Sequence, residues 1–320
     1  MAARRRRPAV LVYHPDGAEP YARFVNVPRG SDVAVHVAST EAEAAVHIAR
    51  VDAVYAWKLP PALFGKAKRL RWVQVMGAGV DWVLEAPDLR RRVQVTRAPG
   101  IFGTWMSEYV LAWCTWVTQK TETYRALQRE RRWDDRVVPD KLRGRTLTLL
   151  GTGNIGGEIA RVARAFGMHV VGVSRTGRRV PHVDRVHRMN NLHRALSAAD
   201  FVVLVLPLTR TTRGVIDAAA LAAMRPGAWL INIGRGALVD EPALLEALQS
   251  RRVAGAVLDV FATEPLPPDH PFWGMDNVAI TPHISGPNIP EELALVFNDN
   301  LARFLSGREL HHVVDRKKGY

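Results

Sequence analysis

Residues Thr146-Leu147-Thr148-Leu149-Leu150-Gly151-Thr152-Gly153-Asn154-Ile155-Gly156 decide the fold, because they run from an apolar strand through a glycine-patterned turn into a helix. The helix signal continues over 155–166, with Ile155, Ile159, Val162 and Phe166 on one stripe. Set between a strand and a helix, GxGxxG has a mechanical reading. Gly151 makes the turn, Gly153 lets the backbone approach a pyrophosphate, and Gly156 lets the helix pack closely on the strand. The phosphates then lie at the positive end of the helix. The expected dinucleotide contacts are therefore Gly151, Gly153, Asn154, Ile155 and Gly156.

The next strand, expected over 169–173, tests which dinucleotide. A carboxylate about 20 residues past the loop would hold a ribose hydroxyl and repel a phosphate. The chain has Ser174-Arg175-Thr176 there, two hydroxyls and a guanidinium that favour a 2′-phosphate. NADPH is the expected cofactor, with NADH possible.

Working outward, short β-branched runs at 146–150, 169–173, 201–206, 229–233, 254–260 and 278–281 alternate with helical patterns, which implies a parallel sheet covered on both faces. An earlier series, 9–13, 33–37, 53–57, 71–76 and 93–96, reads the same way. Within it, Thr40 with Glu43 three residues on forms a capping box for a helix over 40–50. One long helix is expected over 105–128. It has two apolar stripes, Met106, Val110, Trp113 and Val117, and Trp105, Tyr109, Ala112 and Trp116. Two greasy faces suit a helix that packs on its own domain and on a second subunit, so a homodimer through this helix is expected. A last helix, 290–305, is placed to pack back on the first series. The fold class is α/β, with two doubly wound Rossmann-like domains.

Composition agrees with two domains. The chain has 320 residues, 48% apolar and 23% charged, which describes a folded globular protein. Its longest apolar runs, such as 201–208, are far short of the ~18 residues of a membrane span. The basic start, Arg4 to Arg7, precedes too short an apolar run for a signal peptide, and the single Cys114 has no disulfide partner, so a cytoplasmic address is expected. The net charge is +13, mostly arginine, which suits carboxylate and phosphate ligands. Its clusters at Arg90 to Arg92, Arg129 to Arg132 and Arg178 to Arg179 are scattered. Neither zinc-finger spacing nor an aromatic RNA-binding pattern accompanies them, so no nucleic-acid partner and no metal are expected.

Three segments fall at carboxyl ends of expected strands, where open parallel sheets bind ligands. They are Asn232-Ile233-Gly234-Arg235-Gly236, Leu258-Asp259-Val260-Phe261-Ala262-Thr263-Glu264-Pro265, and Thr281-Pro282-His283-Ile284-Ser285-Gly286. An arginine, a carboxylate and a histidine thus converge. Each taken singly has a dull explanation, as a surface arginine, a loop carboxylate and a turn histidine. Together beside a dinucleotide loop they point to acid/base chemistry on an anionic substrate.

With these motifs the chain resembles the NAD(P)-dependent D-isomer-specific 2-hydroxyacid dehydrogenases over nearly its whole length. Met76-Gly77-Ala78-Gly79-Val80-Asp81 resembles the family's substrate-carboxylate loop, Ser107-Glu108-Tyr109 the start of its inter-subunit helix, and Leu206-Pro207-Leu208-Thr209-Arg210-Thr211-Thr212 its cofactor-lining turn. The resemblance implies a nucleotide-binding domain, 104–286, inserted into a discontinuous flavodoxin-like substrate-binding domain, 1–103 with 287–320. It implies His283 as acid/base, Glu264 as its carboxylate partner, and Arg235 as anchor of the substrate. Ala78 and Gly79, with Arg235 and His283, would bind that substrate. Leu206, Pro207, Thr212, Ile233, Gly234 and Asp259 would line the cofactor beside Ser174, Arg175 and Thr176. The implied reaction is NADPH-preferring reduction of small 2-oxo acids, such as glyoxylate or hydroxypyruvate, to D-2-hydroxy acids. The alternative is a dinucleotide-sensing regulatory protein, like the family's corepressor branch. The family's small residues after Pro-His are here Ile284-Ser285-Gly286-Pro287-Asn288, so the pocket wall and the preferred acid are open.

Overall fold

A computed structural model describes residues 6–320, so Arg4 and Arg5 of the basic start lie outside the described residues. The described residues up to Ile101, together with Asn288–Tyr320, form one compact unit, and Phe102–Pro287 form another. Each is built on a wholly parallel sheet.

The first unit has strands β1 (Ala9–Tyr13), β2 (Ala34–Ala38), β3 (Ala53–Ala56), β4 (Trp72–Val75) and β5 (Gln94–Thr96), in the order β2-β1-β3-β4-β5. That is the flavodoxin-like order. β1, β3 and β4 are buried along their full length, as strands covered on both faces must be. The Thr40–Glu43 capping box forms as expected, on a helix spanning Glu41–His47. The last helix, Pro290–Ser306, stacks Phe297 on Tyr55 with ring centroids 4.2 Å apart and on Trp72 at 5.4 Å. Its buried Asn300 donates to Gln74 Oε1 at 3.0 Å, and Thr96 Oγ1 donates to the same oxygen at 2.7 Å. Val314 N–H then reaches the Val95 carbonyl at 2.8 Å, so the C-terminal segment is sewn onto this sheet.

The second unit has β6 (Thr146–Leu150), β7 (His169–Ser174), β8 (Arg185–Arg188), β9 (Phe201–Leu204), β10 (Trp229–Asn232), β11 (Gly255–Leu258) and β12 (Val278–Ile280). Their order is β12-β11-β10-β9-β6-β7-β8, so the chain reverses direction across the sheet between β6 and β9. Ligands bind at such a reversal, outside the carboxyl ends of the strands.

The expected single helix over 105–128 is two helices, Gly103–Thr118 and Thr121–Arg129. Lys120 adopts a left-handed conformation, φ 50°, and stops the first helix. Nearby, the Gln119 side chain donates to the Asp140 carbonyl at 2.8 Å. Neither expected stripe is covered in full within the described residues, and the buried face combines half of the first stripe with two residues outside both. Met106 and Val110 are buried together with Leu111 and Cys114, whereas Trp105 is 41% exposed and Tyr109, Trp113 and Trp116 are half-buried.

One device recurs at the amino ends of the strands. Asp52 accepts the Ala9 N–H at 2.9 Å while Arg69 grips both its oxygens, and Asp200 accepts the Thr146 N–H at 2.8 Å while Arg145 and Arg225 hold its other oxygen. Asp184 does the same for Val170 N–H with Arg164. Each carboxylate satisfies the first or second amide of a strand and is itself paired with arginine, so part of the arginine excess is structural.

Candidate active site

The glycine loop lies at the sheet reversal. Gly151 has φ 109°, in the region that only glycine enters freely, and a Cβ there would stand 2.8 Å from the Val205 carbonyl oxygen. A Cβ on Gly156 would meet the Gly151 oxygen at 2.1 Å, so helix and strand are too close for any other residue. Gly153 caps the helix Asn154–Ala165 and has open space before it. Asn154 and Gly153 are exposed and Ile155 half-buried, which leaves the helix's first amides facing outward. This is a cradle for a diphosphate, and the residues present fit a dinucleotide.

Ser174 ends β7 and its Oγ accepts the Gly177 N–H at 3.1 Å; Arg175 and Thr176 are exposed on the turn that follows. Arg178 and Arg179 are exposed beside them, and Arg188 Nε donates to the Thr176 carbonyl at 3.2 Å. Among the described residues, Ser174, Arg175 and Thr176 occupy the tip of β7, where a carboxylate would reject a 2′-phosphate. Past β9, Thr212 Oγ1 donates to the Pro207 carbonyl at 2.7 Å and accepts the Thr209 N–H at 2.8 Å. That staple folds the turn from Leu206 through Thr212.

The three chemical side chains leave the carboxyl ends of adjacent strands. Arg235 follows β10, where buried Asn232 donates to the Arg235 carbonyl at 3.0 Å and accepts the Gly234 N–H at 3.1 Å. Ile233 is buried beneath this turn. A Cβ on Gly236 would lie 1.8 Å from the Phe261 carbonyl carbon, so the turn carrying Arg235 is pressed against the loop that follows β11. Glu264 is on that loop. Its Oε1 accepts the Phe261 N–H at 3.2 Å, and its Oε2 lies 2.9 Å from His283 Nδ1. His283 follows β12 with φ 56°. Both partners are about one quarter exposed, dry enough to hold a geometry and open enough to meet a substrate.

Asp259 is fully buried, and its carboxylate accepts the N–H groups of Ile284 and Ser285 at 2.8 and 2.9 Å. Sequence reasoning gave Asp259 to the cofactor and missed this work on the turn. It also missed the packing of Gly236 on the loop after β11, although a glycine directly after Arg235 was a signal for it. Ala78 and Gly79 lie in the other unit, on the half-exposed turn after β4, where Gly77 backs onto the Trp57 ring.

Residues 111–285 match the family model of the D-isomer specific 2-hydroxyacid dehydrogenase NAD binding domain, more than half of the chain. The chain belongs to this family. It is 32% identical over 278 residues to glyoxylate/hydroxypyruvate reductase A of Serratia proteamaculans, covering 84% of this chain and 88% of that one. It is also 32% identical to a glyoxylate reductase of Aeropyrum pernix, over 80% of this chain and 79% of the relative. Among solved structures, an NADPH-dependent glyoxylate/hydroxypyruvate reductase of Sinorhizobium meliloti, in complex with NADP and sulfate, has TM-score 0.88 at 33% identity. It covers 98% of this chain and 100% of that one. A D-isomer specific 2-hydroxyacid dehydrogenase family protein of Aeromonas salmonicida has TM-score 0.88 at 38% identity, covering 97% and 99%. As a family member the chain is an NAD(P)-dependent 2-hydroxyacid dehydrogenase. Among the described residues no helix is long and apolar enough to cross a membrane.

Proposed function

We propose that this dehydrogenase works as an NADPH-preferring reductase of small 2-oxo acids of the glyoxylate and hydroxypyruvate kind, forming D-2-hydroxy acids. The carrying observation is the 2.9 Å contact of His283 Nδ1 with Glu264 Oε2 at the carboxyl edge of a sheet whose reversal holds a glycine cradle. Relatives named for this reaction, and the NADP in the Sinorhizobium structure, support the substrate class and the cofactor.

When bound, the reduced nicotinamide supplies a hydride to the substrate's carbonyl carbon. The protein's residues do the rest. Glu264 accepts the Nδ1 proton of His283, which fixes the ring and leaves Nε2 to carry a proton to the carbonyl oxygen. Arg235 pairs with the substrate's carboxylate and stabilises the charge that develops on its oxygen. The backbone amides of Ala78 and Gly79, in the loop that resembles the family's substrate-carboxylate loop, are further donors to that carboxylate. Arg175, flanked by Ser174 and Thr176, pairs with the 2′-phosphate. We further propose that the protein is a cytoplasmic homodimer, associated through the exposed face of the helix Gly103–Thr118.

Initial rates of NADPH and NADH oxidation with glyoxylate, hydroxypyruvate, pyruvate and phenylpyruvate test this reading. Turnover that favours NADPH with one of the first two acids is expected. NADPH binding with no turnover of any of the four would support the dinucleotide-sensing alternative instead.

A further inference from the structure

One residue, Asp259, anchors the backbone turn on which His283 adopts its left-handed conformation, with the Thr281 carbonyl as a second acceptor of the His283 N–H at 3.1 Å. The Asp259 carbonyl accepts the His283 N–H at 2.8 Å, Asp259 Oδ1 accepts the Ile284 N–H at 2.8 Å, and Oδ2 accepts the Ser285 N–H at 2.9 Å. Three successive amides of the turn thus end on a single buried aspartate. Oδ1 takes one more proton, from the Thr281 hydroxyl at 2.6 Å, and Thr281 Oγ1 in turn lies 2.6 Å from the Tyr109 hydroxyl on the helix Gly103–Thr118.

The chemistry of the donors gives this chain a direction. A carboxylate only accepts, so the one hydroxyl proton of Thr281 goes to Asp259, and the Thr281 oxygen must accept from Tyr109. Burial pushes the Tyr109 hydroxyl well above the usual phenol range, so it remains a donor throughout the working pH range. The Tyr109 ring is meanwhile packed edge-on to Trp113, centroids 6.1 Å apart. The phenol is therefore fixed at one end by helix packing and at the other by a short hydrogen bond.

We propose that Tyr109 is a positioning residue for the acid/base, acting through Thr281 and Asp259 on the 283–285 turn and so on the aim of the His283 imidazole. The inference rests on the reading of His283 as acid/base. A hydroxyl that only satisfied a buried polar atom would affect stability and nothing else. One that aims the imidazole affects the proton-transfer step and leaves the binding of substrate and cofactor alone.

The test uses Tyr109→Phe, Thr281→Ser, Thr281→Val, His283→Ala and the double variant Tyr109→Phe/His283→Ala. Each is assayed with NADPH and whichever of the four acids the parent turns over fastest. Tyr109→Phe, which keeps the ring, is expected to lower kcat about tenfold with KM and NADPH affinity within about twofold of the parent. Thr281→Ser preserves the chain and keeps kcat, Thr281→Val breaks it and loses at least as much as Tyr109→Phe. In the His283→Ala background, measured by single turnover with enzyme in excess, Tyr109→Phe adds no further loss. Parental kcat in Tyr109→Phe, a loss confined to KM or NADPH affinity, or an equal loss without His283 each overturns the role. If His283→Ala itself turns over like the parent, the acid/base reading falls and takes this inference with it. Failure of the Tyr109 arms alone leaves that reading standing.

Discussion

His283 carries a backbone strain that the sequence does not announce. At φ 56° a non-glycine residue gives up roughly 1–2 kcal/mol against the right-handed alternative. The three amides of residues 283–285 bound to Asp259 hold it there. Its partner Glu264 is placed at Nδ1, and charge is what that position needs. Glu264→Gln keeps the shape, loses the charge, and is expected to lower kcat about 100-fold, with NADPH affinity unchanged in a fluorescence titration. Arg175 has a different duty. Arg175→Ala is expected to weaken NADPH about tenfold while leaving NADH nearly as before; equal weakening of both would remove the 2′-phosphate contact from the account. The placement of Arg235, Glu264 and His283 past the ends of adjacent strands was legible because each has a glycine or proline beside it. Tyr109 was not. In a helix of aromatic residues its ring reads as part of an apolar stripe, and only the folded chain reveals that its hydroxyl reaches Thr281.

Among the elements, strands buried on both faces were the easiest to read, since β1, β3 and β9 are continuous apolar runs. β8 was missed for the converse reason. Arg-Val-His-Arg, with both ends exposed at the edge of the sheet, carries charge where an edge strand needs it and so lacks the apolar signature. The break after Thr118 was also hidden, because the left-handed residue there is a lysine rather than a glycine or asparagine. The amino-end aspartates belong to this level too. Asp200 is only 11% exposed and serves the first amide of β6 and two arginines at once. Asp200→Ala is expected to cost about 1–2 kcal/mol, the penalty for an orphaned amide and two partly solvated guanidinium groups. Urea unfolding should show a lower midpoint at an unchanged slope. A midpoint equal to the parent's would mean that solvent replaces the carboxylate at no cost.

For the molecule as a whole, the aromatic face of the helix Gly103–Thr118 is only partly covered within the described residues. Tyr109, Trp113, Trp116 and Trp229 form a run of edge-to-face rings, with centroid spacings of 6.1, 5.4 and 6.0 Å, and Trp105 stands 41% exposed on the same helix. Aromatic residues of this kind mark the buried centre of an interface. Sedimentation is expected to give a dimer for the parent and the 35.6 kDa chain for Trp105→Glu. A parent that sediments as a single chain would refute the dimer. The helix that bears this face also bears Tyr109, so an interface there would touch the element that steadies the acid/base turn. Such an arrangement predicts that the Trp105→Glu monomer loses kcat before it loses NADPH affinity.

The most direct measurement compares the parent and His283→Ala in NADPH oxidation with hydroxypyruvate and glyoxylate, alongside NADPH affinity by fluorescence. A fall in kcat of about 100- to 10,000-fold at unchanged NADPH affinity is the result predicted for a lost acid/base. Parental turnover by His283→Ala would contradict it, since the pair with Glu264 at 2.9 Å would then be only a structural contact.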